Sequence, residues 1–151
     1  EKCLACEQLG AERAINYREE DFSAVVKQLT KQRGVDVILD MVAGDYLPRE
    51  IDCLADDGRL VLIALLGGKR AQIDLSQILR RRLTLTGSTL RARPVAFKAA
   101  IARALKEKVW PLLASGKIRP VIFKTFPAEQ VVQAHQLMES SQHIGKLVLQ
   151  W

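Results

Sequence analysis

Apolar and polar positions follow two alternating rhythms along this chain. Residues 2–9 have helical spacing, with Leu4 and Leu9 apolar and Gly10 as a stop. Ala14-Ile15-Asn16-Tyr17 predicts a short strand. Asp21 or Ser23 caps a predicted helix through Arg33, with Phe22, Val25, Val26 and Leu29 on one face and Gly34 ending it. Residues 35–39 are apolar except for Asp36, the pattern of a strand covered on both faces. Residues 47–54 predict a helix with Pro48 near its start, and Asp56-Asp57-Gly58 a turn. Residues 59–66 form the strongest strand pattern, broken by Gly67-Gly68.

The alternation continues. Residues 73–75 read as extended, Ser76 caps a short helix to Arg81, and residues 83–87 form another strand. Residues 94–113 predict one or two helical segments, interrupted at Pro111, with Gly116 as a stop. Then come a strand at 120–126, a helix at 128–140 and a strand at 146–151. Up to residue 116 this order predicts an α/β fold with a parallel, right-handed, doubly wound sheet. The last strand–helix–strand belongs to a second layer or domain.

Composition narrows the class. The 151 residues are 48% hydrophobic, enough for a real core and too apolar for disorder. No apolar run approaches the roughly 18 to 20 residues that span a bilayer. The start has no signal-peptide pattern, and cytoplasmic localisation is expected. The net charge of +6 centres visibly on Arg80-Arg81-Arg82. Aromatic residues are few and no nucleic-acid-binding motif appears, so the excess better suits an anionic small molecule. Cys3, Cys6 and Cys53 lack a second Cys pair or clustered His, so free thiols and no metal are expected.

Several ordered segments carry a resemblance. They are Leu9-Gly10-Ala11 leading to Ile15-Asn16-Tyr17-Arg18, the run from Gly34 to Asp40, Gly58-Arg59-Leu60-Val61, Leu85-Thr86-Gly87-Ser88-Thr89-Leu90, and Ile144-Gly145-Lys146-Leu147-Val148-Leu149. Together they resemble the zinc-independent quinone oxidoreductase branch of the medium-chain dehydrogenase/reductases, the group that includes zeta-crystallin. The resemblance spans essentially the whole chain. It implies a Rossmann-like sheet and NADPH-dependent hydride transfer to a quinone or similar electron-poor acceptor. No Gly-x-Gly-x-x-Gly loop is present, although that loop supplies the main cradle for the cofactor pyrophosphate. The chain therefore reads as the C-terminal portion of such an enzyme, itself impaired. Residues 1–118 correspond to a partial dinucleotide-binding domain lacking its first two strands. Residues 119–151 correspond to a segment of the catalytic domain.

The resemblance also implies site residues. Lys2 matches a base facing the adenosine 2′-phosphate, and Tyr17 and Arg18 match the third strand's end beside the same group. These three favour NADP(H). Gly44 matches the ribose side, and Ile63, Ala64, Leu65 and Leu66 the nicotinamide half. At Ala64-Leu65 the family often carries a polar pair instead. Ser88, Thr89 and Leu90 match a backbone clamp on the carboxamide, and Lys146 a reach from the returning segment. Lys2 reads equally as a solvated helix residue, and Lys146 as an edge-strand lysine. No catalytic acid is evident. His135 and His143 read as structural or exposed.

In the family's strand order 3-2-1-4-5-6, the two missing strands lie mid-sheet and would leave a gap of roughly 14 Å. The third strand is then displaced or disordered, a second chain fills the gap, or the missing residues accompany this chain. At the far edge, the strand at 83–88, with Leu83 and Leu85, is expected to pair across a homodimer. Enoyl or alkenal reduction is an alternative activity. A non-catalytic nucleotide-sensing or interaction module is an alternative of a different class.

Overall fold

A computed structural model describes residues 1–151 as two compact units, one of residues 15–93 and one of residues 1–14 with 94–151. The expected boundary at 118/119 lies inside the second of these.

The 15–93 unit holds a three-stranded parallel sheet, β1 (Val35–Asp40), β2 (Leu54–Leu62) and β3 (Thr84–Gly87), in the order β1-β2-β3. Its helices are α2 (Phe22–Leu29), α3 (Leu47–Cys53) and α4 (Leu75–Arg81). Along β1 and β2, side chains alternate between the two sheet faces. Ile38, Leu60, Leu62 and Leu85 point to one face, where they join Ile51, Leu54, Leu83 and Ile78 in the core. Leu60 is fully buried. On the other face Val37 and Leu39 are 63% and 64% exposed, so β1 is covered on one face rather than two.

Local chemistry explains most element ends. Asp21 caps α2 by accepting from the Ser23 N–H at 2.9 Å. That helix stops at Leu29, four residues short of the expected Arg33. The Thr30 hydroxyl donates back to the Val26 carbonyl at 2.8 Å and accepts from the Gly34 N–H at 3.0 Å, while Lys31 and Gln32 turn to positive φ. Gly34 is required where it stands: at φ +87° its added Cβ would lie 2.6 Å from the Cys53 carbonyl oxygen. Asp74, not Ser76, caps α4 by accepting from the Ser76 N–H at 2.8 Å. The expected turn at residues 56–58 lies within β2, at a register shift opposite Val35 and Val37.

The predicted strand at residues 14–17 does not form. The Asn16 carbonyl accepts from the Glu19 and Glu20 N–H groups, both at 2.9 Å, and makes the segment a turn. These turn bonds occupy the Asn16 carbonyl, and β1, paired only with β2, keeps its other edge free. The strand expected at 59–66 likewise ends at Leu62, and Ile63 to Leu66 form a loop.

The other unit contains α1 (Lys2–Gln8), α5 (Val95–Lys108), α6 (Trp110–Ala114), β4 (Ile122–Pro127), α7 (Val131–Glu139) and β5 (Lys146–Gln150). The long helical pattern breaks at Val109, and Pro111 falls in the first turn of α6, where a missing N–H costs nothing. β4 and β5 pair in parallel, with Thr125 opposite Val148. The Lys2 ammonium donates to the Ser141 carbonyl and ties α1 to the end of α7.

Candidate cofactor-binding site

In a parallel sheet, ligands bind beyond the carboxyl ends of the strands. Here that edge carries Met41 to Gly44 after β1, Ile63 to Gly68 after β2, and Ser88 to Leu90 after β3. The first two segments are zipped together. Ile63 N–H donates to the Asp40 carbonyl at 2.8 Å, Leu66 N–H to Met41 at 3.1 Å and Gly67 N–H to Val42 at 2.6 Å. A further bridge joins Ala43 to Gly68. Ser88 N–H donates to the Leu62 carbonyl at 2.9 Å and brings the third segment alongside.

Glycine makes the zip possible. A Cβ on Gly44 would lie 2.5 Å from the Gly67 carbonyl oxygen, and one on Gly67 would lie 2.9 Å from a Val42 methyl group. The two loops thus meet backbone to backbone, with Gly44 buried and Gly67 exposed at the rim. Ile63, Leu65 and Leu66 project apolar side chains that are exposed, Leu66 at 78%. Ser88, Thr89 and Leu90 are exposed as well.

Asp40 anchors this edge from below. Its carboxylate, 2% exposed, accepts from the Val42 N–H at 2.6 Å and from the Ala43 N–H at 3.0 and 3.1 Å. Glu50, from the first turn of α3, is buried against it. Burial first, and then the Asp40 charge and a hydrogen bond to Asp40, push the Glu50 carboxyl up to about 7. One Glu50 oxygen, Oε2, is buried with no partner. Both acids line a pocket of about 230 Å³ together with Tyr17, Phe22, Met41 and Tyr46. The Phe22 and Tyr46 rings stack at 5.3 Å, with the Arg49 guanidinium over Phe22 at 4.2 Å. The pair was not singled out in the sequence. A Glu on the apolar side of a short helix was the available signal.

The structure brings part of the expected set together. Tyr17 borders the Asp40–Glu50 pocket, and Arg18 follows it, exposed. Gly44, Ile63 to Leu66, and Ser88 to Leu90 share the strand-end edge. Lys2 and Lys146 belong to the other unit, where Lys2 is engaged by Ser141 and Lys146 opens β5 opposite Ile122. His135 is exposed, and His143 is half-buried with its ring edge-on to Phe123. The Arg run is engaged within its own unit. Arg80 donates to the Ser76 hydroxyl at 3.1 Å, Arg81 to the Ile51 and Leu54 carbonyls, and Arg82 forks onto Asp57 at 2.7 and 2.8 Å.

Comparison with known proteins places this geometry. Residues 9–149 match the family described as zinc-binding dehydrogenase. The chain belongs to that family. Within it, the chain corresponds to the C-terminal portion of quinone oxidoreductase-like medium-chain dehydrogenase/reductases. It is 29% identical to 2-haloacrylate reductase from a Burkholderia species, with 99% of this chain and 45% of that protein covered. It is also 29% identical to quinone oxidoreductase from Sus scrofa, with 94% and 42% covered. Among solved structures, Escherichia coli quinone oxidoreductase complexed with NADPH superposes with a TM-score of 0.80 at 27% identity, covering 97% of this chain and 45% of that one. The chain spans less than half the length of each of these proteins. The fold is therefore the Rossmann-like α/β fold of this superfamily. No group of three or more His, Cys, Asp or Glu side chains is placed to hold a metal ion. No helix is long and apolar enough to cross a membrane.

The residues present fit part of a nicotinamide dinucleotide. Gly67 lies exposed on the backbone rim above the buried Gly44, and the loop at 63–66 offers exposed apolar side chains beside it. The pyrophosphate is the part for which this chain supplies no glycine-rich turn.

Proposed function

We propose that this chain forms the nicotinamide-cofactor half of an NADPH-dependent oxidoreductase that passes hydride to a quinone or similar electron-poor acceptor. The carrying observation is the glycine-built edge where Gly44 meets Gly67 and Gly68 at the carboxyl ends of parallel strands. The likeness to an NADPH-complexed quinone oxidoreductase supports the choice of cofactor.

In this reading Tyr17 and Arg18 receive the adenosine 2′-phosphate. Gly44 lets the two loops close into the backbone edge that the ribose approaches. Ile63, Ala64, Leu65 and Leu66 flank the nicotinamide, and Ser88 to Leu90 hold its carboxamide. The cofactor supplies the hydride. The chain's own residues orient it and shield one face from water. Residues 1–118 serve the dinucleotide and 119–151 the catalytic domain. We place the protein in the cytoplasm, zinc-free, as a homodimer through the β3 edge. The chain alone is impaired in turnover because it supplies no glycine-rich pyrophosphate turn.

A second acceptor class has specific support in the likeness to 2-haloacrylate reductase, whose named substrate carries a conjugated double bond. The deciding experiment measures NADPH oxidation by the protein that contains this chain, with benzoquinone and with a 2-enoyl or haloacrylate acceptor. Faster turnover of quinone is the expected result. Turnover of the enoyl acceptor alone moves the protein to the second class, and turnover of neither contradicts both.

A further inference from the structure

The Asp40–Glu50 pair sits where proton uptake can reach the cofactor edge. Asp40 bonds the N–H groups of Val42 and Ala43, the two residues immediately before Gly44. Its own backbone carbonyl accepts from Ile63, the first residue of the loop after β2. Glu50 presses on Asp40 from α3, with its second oxygen buried and unpartnered. The two carboxyls line one pocket with Phe22 and Tyr46.

We propose that Glu50 is a positioning residue whose proton sets the grip of the strand-end edge on the cofactor. When neutral, Glu50 donates to Asp40, and Asp40 holds the 41–44 turn against the 63–68 loop. When ionised, Glu50 repels Asp40, the turn loosens, and cofactor hold weakens. The device therefore favours binding in mildly acidic conditions. This inference rests on the cofactor site proposed above.

Other charges do not take over this role. On the elements packed against α3, Asp21 is paired with Arg49 at 2.7 Å and Arg82 with Asp57 at 2.7 Å. Arg81 donates to backbone carbonyls, and Asp52 accepts from Gln77 at 2.8 Å. Lys27 on α2 acts on Cys53, and Asp45 is exposed. Asp40 is the charged group that acts on Glu50.

The direction with pH follows from linkage. Unfolded, Glu50 has the ordinary value of 4.5, and folding raises it to about 7. Between those values the folded state keeps a proton that the unfolded chain has released. Stability therefore falls as pH rises through that window and is level above it. Asp21, Asp57 and Asp74 are held below the usual carboxylate range and titrate below the window, and Cys53 is raised above it.

Two readouts test the proposal on the wild-type chain and on Glu50→Gln, which mimics the neutral acid in shape. The first is urea unfolding across the window. The wild-type folding constant should fall on the order of a hundredfold, with little change in the variant. Parallel slopes overturn the proposal. The second is NADPH affinity at about pH 6 and about pH 8. The wild type should lose about tenfold more affinity than the variant, which also controls for titration of the cofactor's own phosphate. Equal losses overturn the coupling to the cofactor. If neither protein binds NADPH, the coupling falls together with the cofactor reading, and the unfolding result still reports whether the proton is held. If Glu50→Gln does not fold, carbon NMR of the wild-type Glu50 carboxyl decides. A midpoint near 7 supports the proposal and one near 4.5 overturns it.

Discussion

At the residue scale, the close packing of Gly44 on the backbone of Gly67 is the feature least tolerant of change. Gly44 has φ +56°, and the two backbones meet where any Cβ would intrude. Gly44→Ala should separate the two loops, lower stability by about 1–3 kcal/mol through backbone strain, and reduce cofactor affinity further. Urea unfolding together with an NADPH titration checks both effects, and unchanged values would show that the edge is not built as described. Gly44 was legible in the sequence as a turn glycine and, through the resemblance, as a ribose neighbour. Glu50 was not legible. Its meaning depends on Asp40, and only the fold brings those two carboxyls together.

At the element scale, apolar runs and punctuating residues carried most of the information. The strands at Val35 and Leu60 and the helix at Leu47 fall close to their expected places because their side chains serve one continuous core. Leu60→Ala should cost about 2–5 kcal/mol, since it empties a fully buried position between α3 and α4, and thermal unfolding would report a clearly lowered midpoint. A loss below about 1 kcal/mol would mean that the core collapses around the gap. The misplaced elements have physical causes. Residues 14–17 carry the composition of a strand, but the Asn16 carbonyl is taken by the Glu19 and Glu20 N–H groups and the segment turns instead of pairing. The strand pattern at 59–66 continues past Leu62 because the exposed loop is as apolar as the strand before it. An apolar loop at a sheet's ligand edge looks like strand in sequence. The end of α2 depended on the Thr30 hydroxyl, which no periodicity records.

At the scale of the whole molecule, the sheet of the 15–93 unit leaves bare its face at Val37 and Leu39 and the outer edges of β1 and β3. Pairing of β3 with its copy would satisfy that edge's free backbone groups and give a symmetric dimer. Light scattering at high concentration should then report twice the 16.9 kDa chain mass, and a monomer would remove this assembly from the account. The Arg80–Arg82 run, the most visible charge in the sequence, is spent largely on carbonyls and on Asp57. Net charge alone therefore misleads about partners here.

The central claim is that the strand-end edge recognises a nicotinamide dinucleotide bearing a 2′-phosphate. Nicotinamide fluorescence during titration with NADPH and with NADH, on the wild-type chain and on Arg18→Ala, tests it most directly. The account predicts binding of NADPH at least about tenfold tighter than NADH, and loss of most of that preference in Arg18→Ala, as expected for a charge-assisted contact to phosphate. Equal affinity for the two cofactors, or a preference untouched by removing Arg18, would contradict it.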